Sequence, residues 1–246
     1  MNTKKIIHSF YDNTKTLIVA LIIALLIRSL LFQPFYIPSS SMEPTLLVGD
    51  RIFVSKYAYG YSKHSFPFSP DISNERFLSK YPKRGDLVVF KTPADNRTDY
   101  IKRLIGLPGD KIQFVEGEIL INNKKILRKK IKNEIIIRCG KFLLETNTYI
   151  ETLPNGLQHK VAYKKKGSLQ NTKVFEVPEN HYFLLGDNRD CSKDSRYLDS
   201  VGYVKNLNLV GEAKLIFFSN DTNISSLFKF WNIGKSFRIE RLFKGL

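Results

Sequence analysis

"YIPSSSMEPTLLVGDRIFVSK", Tyr36–Lys56, is where the chain changes character. Before it lies one long apolar run. After it come short apolar runs bounded by Gly, Pro, Asn and Asp, the first of them Arg51–Ser55. Three consecutive serines, Ser39, Ser40 and Ser41, stand at the junction between Pro38 and Met42. A flexible linker explains serines. It does not explain the Met-Glu-Pro-Thr-Leu-Leu that follows, or the strand pattern beyond it.

The upstream run, "TLIVALIIALLIRSLLF", covers Thr16–Phe32. As a helix it spans roughly 25 Å, just short of a bilayer core. Its one charge, Arg28, lies near the outer end, where a long side chain reaches the headgroups. Pro34 is expected to end the helix. Lys4, Lys5 and Lys15 precede the run, and the positive-inside tendency then leaves the N-terminus in the cytoplasm. The organisation read from this is a cytoplasmic tail over 1–15, an anchor over 16–33 and an extracytoplasmic part over 34–246. A cleavable leader is the rival, since Ser39 and Ser41 form a small-x-small pair. The apolar run is long for a leader, and Phe32–Tyr36 is a bulky approach to a cleavage site, so an uncleaved anchor is preferred.

Downstream, further strands are expected at Asp86–Phe90, Tyr100–Ile105, Lys111–Val115, Glu118–Ile121, Glu134–Arg138, Gln158–Tyr163, Val174–Val177, Tyr182–Leu185 and Glu212–Phe218. The fold class is therefore mostly β: an antiparallel β-sheet domain anchored by one N-terminal transmembrane helix. The Lys- and Asn-rich stretch of about 111–178 reads as a smaller inserted β subdomain. "SLFKFWNIGKSFRIERLFKGL", Ser226–Leu246, mixes aromatic and basic residues, and is either an interfacial segment or a last core-packing element.

The formal net charge is +16 over 246 residues. Nucleic acid or anionic lipid would balance such charge, but the basic residues are spread along the chain, as on a solvated surface. Nothing else points to nucleic acid. Cys139 and Cys191 are far apart and show no metal-ligand spacing, so no metal site is expected. Whether they pair is left open. A disulfide stays the open alternative, because sequence does not set their distance.

The histidines, His8, His64, His159 and His181, belong to no triad motif, and no GxSxG elbow is present. A serine nucleophile can use a neutral lysine instead. Ser226 and Lys229 have SxxK spacing without companion motifs, and are set aside. A better lysine stands in "DYIKRLIGLPGD", Asp99–Asp110. Strand alternation places Lys102 on one face with Tyr100 and Leu104, where desolvation would lower its pKa. The plain alternative is a surface lysine on an edge strand. "GDNRDCSKDSR", Gly186–Arg196, is either an ordinary Asx-rich loop or a charge-assisted network holding Ser192 or Ser195 beside a buried amine.

Taken together and in order, "PSSSMEPTLLVGDRIFVSK", "RGDLVVFKTP", "YIKRLIGLPGD" and "GDNRDCSKDSR" resemble the boxes of the bacterial type I signal peptidases, Ser-Lys dyad proteases. The resemblance covers roughly Tyr36–Gly211. It implies a membrane-bound endopeptidase that removes signal peptides from translocated preproteins after small-x-small sites, using no cofactor. It implies Ser41 as nucleophile and Lys102 as general base, with Ser39 and the Ser41 backbone N–H binding the oxyanion. Ser192, Asp194 and Arg196 would support the base. Phe35, Ile37, Met42, Leu46, Val89, Tyr100 and Ile101 would line the substrate pocket. The partners so implied are preproteins and membrane lipid, and the location is the bacterial inner membrane with the catalytic part on the periplasmic side. Three departures stand out. Ser40 replaces a common Gly, which questions whether φ there is positive. Cys191 replaces the usual Asn beside Ser192. "YLDSVGYV" after Arg196 is longer than usual. A rival of another class is a non-catalytic, membrane-anchored basic β domain binding anionic polymers or lipid. A soluble self-cleaving repressor relative is a second rival, disfavoured by the membrane span.

Overall fold

The computed structural model describes residues 3–71, 73–140, 142–166, 168, 170–220 and 237–246. The Ser226–Lys229 pair and the greater part of the aromatic-basic tail lie outside them. Helix α1 runs Thr3–Leu30. Its Tyr11–Leu30 portion, of mean hydropathy 1.7, is long and apolar enough to cross a membrane. The helix stops short of Pro34. Leu31 N–H still donates to Ile27, and strand β1 (Phe32–Tyr36) follows at once. Pro34 is thus a strand residue. β1 is the outer strand of its sheet, where a missing N–H costs little.

The remaining strands, in chain order, are β2 (Asp50–Ser55), β3 (Leu87–Lys91), β4 (Asp99–Gly106), β5 (Lys111–Val115), β6 (Glu118–Ile121), β7 (Lys124–Lys125) and β8 (Leu127–Cys139). Then come β9 (Phe142–Thr152), β10 (Gln158–Lys164), β11 (Phe175–Glu176), β12 (His181–Leu185), β13 (Val204–Lys205), β14 (Leu209–Ser219) and β15 (Lys244–Gly245). The mostly-β antiparallel expectation holds. The main sheet has the order β1-β2-β14-β3-β4-β12-β13, with β15 also on β14. Between β4 and β12 the chain builds two smaller sheets, β11-β5-β6-β7 and β10-β9-β8. Asn122 and Asn123, both at positive φ, make the β6–β7 turn.

The main sheet buries both faces. Ile37, Met42, Leu46, Ile52, Val89 and Ile216 pack on one side. Val88, Phe90, Leu104, Tyr182, Leu184 and Leu209 pack on the other. The alternation of Val88 and Val89 between these clusters is the period-2 pattern of a strand covered on both faces. Of the tail, Arg241 is described. It is buried and pairs with Asp50 through two contacts, 3.0 Å from Nε and 2.5 Å from an Nη. Ile239 and Phe243 of the same stretch are exposed, so the described tail residues are fastened through the Arg241–Asp50 pair and not by apolar packing.

Candidate active site

The serine loop between β1 and β2 is fastened at both ends. Ile37 N–H donates to Asp50 O and Gly49 N–H to Ile37 O. The Asp50 carboxylate accepts from Leu47 N–H at 2.8 Å and Ser219 Oγ at 2.6 Å, besides Arg241. Gly49 has φ +95°, and a Cβ there would lie 1.7 Å from Asn220 O. Within the loop, Ser40–Met42 form a single 3-10 turn. Ser40 is buried and is not among the positive-φ residues, so a side chain is accommodated there without backbone strain.

Asn188 holds the turn from the other side. Its N–H donates to Ser41 O at 3.1 Å and its Nδ2 to Ser40 O at 3.2 Å. Gly186 makes the approach possible: a Cβ there would stand 2.2 Å from Ser192 Oγ and 2.5 Å from Ser41 O. Neither role was visible in sequence beyond the general density of Asx and Gly in that box.

Strand alternation places Lys102 as expected, on the face it shares with Tyr100, whose ring centroid is 5.4 Å from Nζ. Lys102 is 3% exposed. Its Nζ donates to Ser41 Oγ at 2.7 Å and to Ile101 O at 2.8 Å. Ser39 Oγ lies 3.3 Å from Ser41 Oγ. Burial pushes the Lys102 amine down to about 8, against the partial pull of Asp194 and Asp187. Those two carboxylates would keep the amine charged if they stood alone. Each is clamped by its own arginine.

Arg196 Nε and Nη2 both meet Asp194, each at 2.7 Å. Arg103 meets Asp187 in the same fork, at 2.8 and 2.7 Å. Burial alone would raise both carboxyls. The paired guanidinium overrides it and holds each below the usual range. The Arg103–Asp187 pair was not foreseen as a pair, because its members are 84 positions apart. Behind it lies a further buried group: Arg189 against Glu151 at 2.7 Å, with Tyr163 OH donating to Glu151 at 2.7 Å.

Ser192 is buried against Gly186 and helps keep Asp194 ionised, but its Oγ completes no well-directed hydrogen bond and does not bond Lys102. Ser195 Oγ accepts from Leu184 N–H, a structural task. His159 sits between Glu151 and Asp187, 3.6 and 4.0 Å away, and burial lowers it to about 3. Neither it, His64 nor His181 hydrogen-bonds Ser41.

A cleft of about 700 Å³ opens over Ser41 and Lys102. Phe35, Ile37, Val89, Tyr100 and Ile101 line it, with Pro38 and Ser39. Met42 and Leu46 do not. Both are fully buried in the core beneath, packed with Ile52 and Val89. The cysteines, whose pairing the sequence leaves open, are also decided. Cys139 and Cys191 form a disulfide, with Cα atoms 5.7 Å apart. The β8–β9 hairpin carries Cys139 across to the Gly186–Arg196 loop, a proximity that sequence spacing does not contain.

With this geometry in hand, a family model described as "signal peptidase, peptidase S26" matches residues 11–218. The chain belongs to that family. Among curated relatives, the signal peptidase I of Rickettsia typhi is 42% identical, over 96% of this chain and 97% of that one. The signal peptidase I of Rickettsia conorii is 44% identical, over 91% of this chain and 88% of its own. A crystal structure of a signal peptidase I from Enterococcus faecalis is 26% identical, covering 54% of this chain and 97% of that chain, with a TM-score of 0.31. The signal peptidase family is one of serine endopeptidases, and this member carries an apolar helix suited to anchor it in a membrane.

Proposed function

We propose that this signal peptidase family member cuts signal peptides from translocated preproteins by a Ser41–Lys102 dyad. The observation that carries the reading is the 2.7 Å contact between Lys102 Nζ and Ser41 Oγ in a site where the lysine is dry. A non-catalytic basic module has no use for such a contact. Lys102, neutral, takes the Ser41 proton as Oγ attacks the scissile carbonyl. The amine of the new N-terminus leaves with a proton returned by Lys102. Lys102, neutral again, then draws a proton from the water that attacks the acyl ester, and passes it to Ser41 Oγ as the ester C–O bond breaks and the acid product leaves. Arg103 and Arg196 serve this cycle by neutralising Asp187 and Asp194, so that Lys102 can stay unprotonated. The N-terminal lysines favour a cytoplasmic start for α1, which places the cleft on the outer side of the membrane.

Ser39 Oγ, 3.3 Å from Ser41 Oγ, is in reach of the oxyanion that attack creates. Ser39→Ala is expected to lower kcat by about 10²–10³-fold and leave KM nearly unchanged, since the hydroxyl acts on charge that develops only in the transition state. A raised KM with kcat unchanged would assign Ser39 to substrate binding instead.

The test of the function is processing of a model preprotein by the full-length enzyme in detergent. Cleavage is expected after Ala at the −1 position. Replacing that Ala by Leu or Phe is expected to stop it, because Ile37, Val89, Tyr100 and Ile101 wall the cleft beside Ser41. Efficient cleavage after a bulky −1 residue would overturn the reading of the pocket.

A further inference from the structure

The Cys139–Cys191 bond closes a span of 52 positions, and its place is as informative as its existence. Cys191 and Gly140 both line the cleft that holds Ser41 and Lys102. Cys191 Sγ lies 3.7 Å from Ser40 Oγ, next to the candidate nucleophile. The bond thus pins the end of the β8–β9 hairpin to the catalytic loop, and makes that hairpin end a wall of the cleft.

Across the hairpin, Cys139 is the register partner of Phe142, and Arg138 of Leu143. Directly paired residues of an antiparallel ladder share a face, and neighbours along one strand point to opposite faces. Phe142 therefore projects on the disulfide's side of the hairpin, two positions from Gly140, which lines the cleft. Leu143 projects away from it. Phe142 is 77% exposed and Leu143 is 69% exposed. An apolar ring held in water beside a substrate cleft gains from being covered by whatever occupies that cleft.

We propose that Phe142, held at the rim by the Cys139–Cys191 bond, is a specificity contact for the preprotein beyond the residues that flank the scissile bond. This rests on the proposed function for the identity of the occupant. A preprotein is favoured because Gly140, two positions from Phe142, and Cys191, bonded to Phe142's register partner Cys139, line the cleft that would receive the scissile bond. On this proposal a long chain seated at Ser41 reaches Phe142, whereas a short peptide limited to the residues around the scissile bond does not.

The experiment compares two substrates of the full-length enzyme in detergent: a preprotein, and a short peptide limited to the residues around its cleavage site. Phe142→Ser is expected to raise KM for the preprotein about tenfold, the worth of covering much of one aromatic ring. It leaves kcat, the pH profile and short-peptide cleavage unchanged. Leu143→Ser, on the other face, changes neither substrate. The Cys139→Ser/Cys191→Ser pair reproduces the KM effect of Phe142→Ser, measured well below its own Tm. The proposal is overturned if Phe142→Ser leaves preprotein KM unchanged, or if Leu143→Ser raises it equally. Phe142 is a surface residue, so its variant decides the matter even where the cysteine pair folds poorly. A wild-type enzyme that cuts neither substrate strikes down the proposed function itself, a result distinct from cleavage without a Phe142 effect.

Discussion

Lys102→Arg is expected to show no processing at any usable pH. The 2.7 Å contact to Ser41 Oγ requires an amine with a free lone pair, and a guanidinium keeps its proton. The wild-type enzyme supplies the matching profile. A group that must be unprotonated in the free enzyme makes kcat/KM rise with pH through its pKa. Burial sets Lys102 at about 8, so the acidic limb is expected there. A histidine base would place it near about 6.5 and an unperturbed lysine near about 10.4. Measured activity in Lys102→Arg, or a limb at the histidine value, would remove Lys102 from the mechanism.

Lys102→Met makes a companion prediction about stability. Folding lowers the lysine pKa from about 10.4 to about 8, so between these values the unfolded chain binds the proton that the native protein lacks. Stability then rises with pH across that window. Below about 8 the burial penalty is present in full, roughly 3 kcal/mol at 1.36 kcal/mol per unit. The inactive Met variant, which keeps the apolar stem, is expected to be the more stable protein at pH 7, with the difference vanishing above about pH 10.4. Denaturant melts at two pH values measure this. A variant no more stable than wild type at pH 7 would mean the lysine is not dry.

Ser41→Ala is expected to abolish processing with the fold intact. The change deletes one half-buried hydroxyl whose partners are Lys102 and Ser39, and leaves the carbonyl bond to Asn188 in place. Its Tm should stay close to wild type, while kcat falls to background. A folded Ser41→Ala enzyme with appreciable activity would move the nucleophile elsewhere.

The strand β4 was legible because one element of eight residues has both faces buried, and Tyr100, Lys102 and Leu104 alternate with Ile101, Arg103 and Ile105. β9 was not read. Its "FLLETNTYIET" mixes Thr, Asn and Glu with apolar residues, and its pairing with β8 comes from register rather than from burial of a plain apolar face. β1 was hidden by Pro34 and by the apolar run before it. Lys102 and Ser41 could be named from motif order, but their contact could not. Met42 and Leu46 were assigned to the pocket because a motif position does not say which way a turn directs its side chain. The Asp187 partner and the disulfide belong to the same class: both join segments that only the folded hairpins and sheet bring together.

One feature of the sheet ties the site to a late strand. β14 is wedged between β2 and β3, so the strand leaving the serine loop and the strand beside Lys102 are spaced by residues Leu209–Ser219. Asp50 likewise waits for Ser219 and Arg241 before its carboxylate is fully engaged. The Ser41–Lys102 contact is therefore built across a strand that comes much later in the chain than either residue, so the candidate dyad and the C-terminal part of the sheet assemble as one unit.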